Sequence, residues 1–185
     1  FLRLSKYFIT LELVSLSTSC PKSQYNPASP RLDIFFIMTC YTSTIITMEI
    51  NINCDLGEKS KHHSNKYDSD LLEIVNSANI ACGYHAGDEE TMCQVIKISK
   101  KNGVSIGAHP SFKDPENFGR ERMNLTSAEI RKLIIDQYEI LQKIALNNDN
   151  KVSHIKPHGA LNNMACEDIE LSSTIANAIK EIDKD

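Results

Sequence analysis

Acidic, basic and imidazole side chains recur in short glycine-containing motifs along most of this 185-residue sequence. Carboxylates and imidazoles that lie together suit water activation and proton transfer, and a nearby lysine can stabilise an oxyanion or a phosphorylated oxygen. Seven residues are therefore the candidate catalytic groups: Asp55, Glu58, His85, Asp88, His109, Lys156 and His158.

The same residue types also bind divalent metals. Asp55, His85 and His109 are candidates for three metal ligands, with water in the open position. The sequence leaves the choice between metal catalysis and acid–base catalysis open. It contains no G-x-S-x-G motif, so a serine nucleophile is not indicated.

Some candidates also fit purely structural roles. Asp88 is equally well placed to cap a helix. His109, which precedes Pro110, can hydrogen-bond within a turn, and Lys156 can be a solvated charge at the end of a strand. The collective arrangement therefore carries more weight than any single residue.

Four predicted strands place the candidates. The hydrophobic patterns predict strands at residues 48–54, 79–82, 104–108 and 152–156. Each strand ends at, or is followed within a few residues by, at least one candidate catalytic group. A polar loop of about 17 residues follows the third strand, which is long enough to suggest function.

Helices are predicted after each strand. The first, capped by Asp68 or Ser69, carries Leu71, Leu72, Val75 and Ala78 on one face. Asp88 and Gly103 bound the second. The third begins at a capping box in residues 126–129 and buries Ile130, Ile134, Tyr138, Leu141 and Ala145. The last carries Leu171, Ile175, Ala178, Ile179 and Ile182.

This alternation predicts an α/β fold. The connections between strands are too long for hairpins, so the strands are expected to be parallel and joined by right-handed crossovers. The carboxyl ends of parallel strands meet at one rim, where α/β folds build their sites. The pattern allows either an open doubly wound sheet or a barrel.

Composition excludes several classes of function. The net charge is −4 and no strongly basic patch is present, which argues against a nucleic-acid partner. No apolar run is long enough to span a bilayer, so no membrane partner is expected. The six cysteines form no C-x-x-C pair and are interpreted as buried small hydrophobes in a reducing cytoplasm.

Residues 1–47 differ from the rest of the chain. They contain no glycine and carry a net charge of +2, whereas the remainder carries −6. We expect Met48 to be the natural start and residues 1–47 to be an irregular extension outside the native protein; the alternative is a targeting extension. The helical pattern is still running at Asp185, so residues 48–185 are expected to be the N-terminal portion of a longer domain.

Five motifs in order resemble those of a known family. They are NCDLGE at 53–58, SANIACGYHAGD at 77–88, GAHPSF at 107–112, NFGR at 117–120 and KPHGAL at 156–161. Together they are similar to the LamB/YcsF family, which is that of the 5-oxoprolinase A subunit. The resemblance covers residues 48–185, a little over half of a family member. Asn162 departs from the family, which often has tyrosine there.

The resemblance implies a fold and an activity. The fold would be a partial TIM-like β/α barrel, comprising the first four β/α units and similar to the glycoside hydrolase/deacetylase superfamily. The activity would be hydrolysis of the lactam of 5-oxo-L-proline (pyroglutamate) to L-glutamate, driven by ATP. The B and C subunits of 5-oxoprolinase would be the partners that handle phosphorylation, in keeping with the absence of a G-x-x-x-x-G-K-[ST] or G-x-G-x-x-G motif here.

Two alternatives stay open at this stage. The chain could be a metal-dependent amidase or sugar deacetylase of the same barrel superfamily, acting without ATP. It could also be an inactive gene fragment, because an incomplete barrel exposes a strand edge and apolar helix faces.

Overall fold

The described strands form one five-stranded sheet. The computed structural model describes residues 7–10, 50–61 and 63–183. The strands are β1 (Tyr7–Thr10), β2 (Asn51–Leu56), β3 (Ser77–Ala81), β4 (Ser105–His109) and β5 (Val152–Ile155), and they lie side by side in that order. β2 to β5 are parallel, as the sequence predicts.

Five helices lie in the described part of the chain. They are α1 (Asp68–Leu71), α2 (Glu89–Asn102), α3 (Ser127–Leu146), α4 (Gly159–Glu167) and α5 (Ile169–Ile182). All five residues of β3 are buried, which is typical of a parallel strand covered on both faces. Helix α2 packs against β3 and β4, and β2 and β4 flank β3 on either side.

The ends of α2 and α3 follow the sequence closely. The Asp88 side chain accepts a hydrogen bond from the Thr91 backbone N–H, and Gly103 ends α2 in the left-handed conformation. The capping box between Thr126 and Glu129 is present in both directions. These local signals need no tertiary contact, which is why the sequence predicts them well.

The first predicted helix is wrong in length. α1 ends at Leu71, and Ala78 lies in β3 instead of on a helix face. The Asp68 carboxylate accepts a hydrogen bond from Gly57 N–H at 2.8 Å, so it is not the cap. Ala78 is in a strand because β3 pairs with both β2 and β4, and this tertiary pairing overrides the helical spacing of the apolar residues.

The chain after β5 also differs from the prediction. It forms two helices, because Asp168 accepts hydrogen bonds from the backbone N–H groups of Glu170 and Leu171 and so starts α5 separately. In α3, Gln137 is fully buried, whereas Tyr138, which the sequence predicts to be buried, is only partly so.

Two of the three hydrophobic clusters among the described residues hold these layers together. One joins the sheet to α2 and the end of α3 through Ile80, Ile96 and Leu141. The other joins the loop after β4 to α3, α4 and α5 and includes Phe112 and Leu161. The second cluster lies behind that loop, so it fixes the part of the chain that covers the carboxyl ends of the strands.

Two further predictions can be compared with the described residues. None of the helices there combines the length and apolar character needed to cross a bilayer. Of the predicted extension, only β1 is described. The rest of it, and the first residues of the predicted strand at 48–54, lie outside the described residues.

Candidate active site

Six of the seven candidate side chains meet at the carboxyl ends of the strands. Asp55 lies near the end of β2 and Glu58 two residues beyond it; His109 is the last residue of β4. His85 lies in the turn after β3, and His158 immediately precedes α4. Lys156, the sixth, directly follows β5. Because β2 to β5 are parallel, their carboxyl ends bring these separate segments to one rim.

Glu58 and three histidines form the most compact part of the site. The Glu58 Oε1 atom lies 3.4 Å from His158 Nδ1, 3.5 Å from His85 Nε2 and 3.9 Å from His109 Nε2. His158 Nδ1 and His109 Nε2 are 2.9 Å apart. One potential ligand atom from each of the four residues lies within 4.8 Å of the other three. We call this set the Glu–His cluster.

Backbone carbonyl groups fix the tautomers of two of these histidines. The Lys156 carbonyl oxygen is 2.5 Å from His109 Nδ1, and the Phe118 carbonyl oxygen is 2.9 Å from His158 Nε2. A carbonyl oxygen only accepts, so both of these ring nitrogens must carry hydrogen. In the neutral rings, His109 Nε2 and His158 Nδ1 therefore each carry a lone pair, and these lone pairs face each other.

Burial keeps these two rings neutral. Loss of solvation lowers the pKa of His109 to about 4, even though the neighbouring Asp55 carboxylate acts in the opposite direction. Loss of solvation also lowers the pKa of His158 to about 3, assisted by His85 and His109. Near pH 7 both rings are therefore neutral, and no proton lies between the two facing lone pairs.

His85 is buried without a hydrogen bond. Its side chain is 0% exposed, and neither ring nitrogen has a hydrogen-bond partner among the described residues. The ring stacks on His158, with centroids 3.9 Å apart and planes 9° apart. Burial of an imidazole in this way costs free energy, and the cost is recovered when a ligand occupies its lone pair.

These features together fit a divalent cation. Ligands about 2.1 Å from a tetrahedral ion lie about 3.4 Å from one another. Four of the separations within the Glu–His cluster range from 2.9 to 3.9 Å. One carboxylate and three imidazoles are also a donor set that zinc accepts. The cluster can therefore hold a divalent metal.

Asp55, one of the three ligands predicted from the sequence, lies beside this cluster. Its Oδ2 atom is 3.5 Å from His109 Nε2, while its Oδ1 atom accepts hydrogen bonds from Lys156 Nζ at 2.6 Å and Asn79 Nδ2 at 2.9 Å. Burial alone would raise the pKa of Asp55, but His109, Lys156 and Asn79 lower it below its ordinary value. Asp55 is therefore held as a carboxylate next to the cluster.

A row of polar groups below the rim supports Asp55. In the sheet, Asp55 pairs with Asn79, which pairs with Gly107, which pairs with His154. His154 Nε2 lies 2.9 Å from Asn79 Oδ1. A Cβ atom on Gly107 would lie 2.2 Å from the His154 ring, so glycine is required for this histidine to reach across β4.

Asp88 is the candidate that the structure does not bring into the site. Its carboxylate accepts hydrogen bonds from the N–H and the hydroxyl of Thr91 at 2.8 and 2.7 Å, and Lys59 lies 3.7 Å away. The side chain is 52% exposed. Its position is that of a helix cap.

Phe118 is a residue of the site to which the sequence analysis assigns no role. It adopts a left-handed backbone with φ 59°, which is uncommon for an aromatic residue, and this conformation aims its carbonyl oxygen at His158. Its ring meets those of His85 and His158 edge-on at 5.4 and 5.2 Å. The only signal in the sequence is the NFGR motif at 117–120.

Hydrogen bonds from α3 and within the loop itself hold the loop that carries Phe118 in place. The fully buried Gln137 of α3 accepts a hydrogen bond from Ser111 N–H at 3.0 Å and donates one to the Ser111 carbonyl at 2.8 Å. Asp114 accepts from Asn117 N–H and Glu121 N–H at 3.1 and 3.2 Å. The long loop predicted from the sequence is therefore a rigid wall of the site.

Two cavities open onto this site. The lining of the first, of about 410 Å³, includes His109, His158, Lys156, Phe118 and Arg120. The lining of the second, of about 370 Å³, includes His63, Tyr67 and Leu71. Asp55 and Glu58 line both cavities, so a ligand in either one reaches the same carboxylates.

Comparison with known proteins agrees with the fold and the motifs. The LamB/YcsF family matches residues 50–185. The 5-oxoprolinase A subunit of Azoarcus sp. (strain BH72) is 44% identical over 138 residues, which are 75% of this chain and 54% of that protein. The 5-oxoprolinase A subunit of Rhodopseudomonas palustris (strain ATCC BAA-98 / CGA009) is 47% identical over 137 residues, 74% of this chain and 54% of that protein.

A solved structure has the same architecture. The crystal structure of the lactam utilization protein from Thermus thermophilus matches with a TM-score of 0.67 and 36% identity, over 71% of this chain and 53% of that one. The parallel α/β arrangement is consistent with part of a TIM-like barrel. The chain spans about half the length of the curated relatives that it matches. The family resemblance inferred from the sequence is confirmed, and the chain belongs to the LamB/YcsF family.

Proposed function

We propose that this chain is part of the A subunit of an ATP-dependent 5-oxoprolinase, which hydrolyses the lactam of 5-oxo-L-proline to L-glutamate together with its B and C subunits. The relatives that carry the 5-oxoprolinase name support this role. The observation that carries it is the convergence of the Glu–His cluster with Asp55 and Lys156 on one cavity. We also propose a cytoplasmic location.

Asp55 and Lys156 have different roles in the proposed hydrolysis of the lactam. Asp55 is held as a carboxylate, and its Oδ2 atom faces the cluster, where it can take a proton from the attacking water. The Lys156 ammonium group stabilises the negative charge that develops on the carbonyl oxygen. The water oxygen bonds to the carbonyl carbon, the C–N bond breaks, and the nitrogen receives the proton to become the amino group of glutamate.

The Glu–His cluster has a separate role in this proposal. Glu58, His85, His109 and His158 would hold a divalent metal, which would supply Lewis-acid chemistry to the reaction. The carbonyl groups of Lys156 and Phe118 orient His109 and His158 for this purpose. The B and C subunits would use ATP to phosphorylate the carbonyl oxygen of the lactam, and this phosphoryl group would leave as inorganic phosphate when water adds and glutamate forms.

Reconstitution tests this function. The chain is mixed with 5-oxo-L-proline, ATP and the B and C subunits from a bacterium whose A subunit is similar to it, and glutamate is measured. Glutamate should form in the complete mixture and not when ATP or either partner is left out. A chain carrying Asp55→Asn should lose at least about 100-fold in rate, because the proton acceptor is removed.

A second candidate function rests on the Glu–His cluster itself. A buried cluster of one carboxylate and three imidazoles also suits a metal-dependent amidase or sugar deacetylase that needs no ATP. Hydrolysis of a lactam or an acetylated sugar by the metal-loaded chain alone would favour this candidate. Strict dependence on ATP and on the B and C subunits would exclude it.

A further inference from the structure

The guanidinium group of Arg120 lies at the cavity that contains the catalytic groups. Arg120 lines the cavity of about 410 Å³ together with Lys156 and Asn162. Its Cζ atom lies 5.4 Å from the centroid of the Phe118 ring. The same ring contacts His85 and His158, so the guanidinium and the Glu–His cluster lie against one aromatic ring.

Arg120 differs from the other arginines among residues 50–61 and 63–183. Arg122 forms an ion pair with Glu167, and Arg131 forms one with Glu181. Within the same described residues, no ion pair or side-chain hydrogen bond involves Arg120, although Glu121 is its neighbour in sequence. Its guanidinium is held against the aromatic ring, which leaves its donors available to a ligand.

The other cation of the cavity is already engaged. Lys156 Nζ lies 2.6 Å from Asp55 Oδ1 and is only partly exposed. An anionic group that enters the cavity therefore meets one cation that is neutralised by a carboxylate and one that is not. The unneutralised cation is a planar guanidinium, whose two parallel N–H groups match the two oxygens of a carboxylate.

We propose that Arg120 binds the carboxylate of the lactam substrate and makes the site selective for lactam acids over neutral lactams. This inference rests on the proposed function, whose substrate carries one carboxylate. In 5-oxo-L-proline the carboxylate and the reactive carbonyl stand on opposite sides of the ring nitrogen. A carboxylate held at Arg120 thus leaves the carbonyl free to face the cluster, and this fixed position favours reaction.

Calorimetric titration of the 185-residue chain tests the proposal. The probes are 5-oxo-L-proline, pyrrolidin-2-one, which is the same lactam without the carboxylate, and inorganic phosphate. The wild type should prefer the acid over the neutral lactam by about tenfold or more, as expected for a charge-assisted pair. Arg120→Gln should abolish this preference by weakening the acid alone. Arg120→Lys should restore only part of it, because an ammonium group lacks the paired donors.

Arg122→Gln is the matched control, because Arg122 pairs with Glu167 outside the cavity lining. It should retain the wild-type preference, and circular dichroism should show that all variants are folded. A preference that survives in Arg120→Gln, or a wild type that does not bind 5-oxo-L-proline, would overturn the proposal. Arg120-dependent binding of phosphate without discrimination between the lactams would overturn the carboxylate assignment.

Failure of the proposed function would look different. An acid preference that depends on Arg120, combined with no glutamate in the complete reconstituted mixture, would support the Arg120 site while it removes the ATP-dependent reaction.

Discussion

His158 Nδ1 and His109 Nε2 face each other at 2.9 Å, and neither carries hydrogen when both rings are neutral. Backbone carbonyl groups hold the hydrogen of each ring on its far side. The ends of β4 and β5 thus bring together two lone pairs that repel unless a cation lies close to both. This arrangement stores unfavourable free energy in the metal-free protein and releases it on cation binding.

Zinc should therefore stabilise the chain. After treatment with a chelator, addition of Zn²⁺ at about 100 times its Kd should raise the free energy of unfolding by about 2.7 kcal/mol. Thermal unfolding with and without the metal measures the effect. His158→Ala should abolish it, whereas the control His154→Gln should retain it, because His154 contacts Asn79 and is not part of the Glu–His cluster.

Replacement of His85 by leucine should act in opposite directions on stability and metal binding. Without metal, His85→Leu should raise the free energy of unfolding by about 1–2 kcal/mol, because it removes buried nitrogens that have no hydrogen bond. Zinc affinity, measured by competition with a chromogenic chelator, should fall at least about tenfold. A variant that is less stable without metal and binds zinc normally would contradict this interpretation of His85.

The metal-free protein should lose stability as the pH falls from about 6.5 to about 4. Burial depresses the pKa of His109 to about 4 and that of His158 to about 3, so the folded state stays neutral while the unfolded chain takes up protons. The stabilisation is complete above pH 6.5 and decreases by up to about 2.7 kcal/mol per pH unit for two protons. Urea unfolding at several pH values measures the slope.

A double variant provides the control for this pH dependence. His109→Gln combined with His158→Gln should flatten the slope between pH 5 and 6.5, although His154, whose pKa burial also lowers, retains part of it. A slope that is unchanged in the double variant would assign the pH dependence to other groups.

Asp88 should matter for stability and not for chemistry. Asp88→Ala removes the cap of α2 and should cost about 1 kcal/mol in the free energy of unfolding. Zinc affinity and glutamate formation by the reconstituted enzyme should stay within about twofold of wild type. A large loss of turnover at unchanged stability would contradict this prediction and would mean that Asp88 is a catalytic residue.

The parts of the fold that the sequence predicts are those set by local chemistry. The caps at Asp88 and Thr126 depend on atoms a few residues apart, and the parallel sheet follows from the length of the connections. The seven candidate residues follow from the single premise that strand ends share a rim. That premise cannot tell which carboxylate faces the histidines.

The remaining features depend on contacts between distant segments. Glu58 takes its place among the histidines, while Asp55 turns to Lys156, which is 101 positions away in the chain. The left-handed backbone of Phe118 is set by a loop that Gln137 holds from α3. The spacing of hydrophobic residues in the sequence carries no information on such long-range contacts, so only the assembled structure shows them.

Two glycines share a backbone conformation but differ in what surrounds them. Gly119 and Gly103 have φ values of 65° and 69°, so alanine strains both backbones by about 1 kcal/mol. A Cβ atom at Gly103 meets nothing within 4 Å. At Gly119 it would lie 2.0 Å from Ser111 Oγ and 2.9 Å from His85 Cβ, which is closer than packed atoms approach.

Gly103→Ala should thus lower the free energy of unfolding by about 1 kcal/mol and leave zinc affinity unchanged. Gly119→Ala should lower it by at least about 2–3 kcal/mol and weaken zinc binding, since His85 must move away from the other ligands. Chemical denaturation and zinc competition on the two purified variants measure both effects. Equal losses of stability, with zinc binding intact in both variants, would contradict this prediction. The loop at Gly119 would then shift without moving His85, and residues 110–126 would not position the Glu–His cluster.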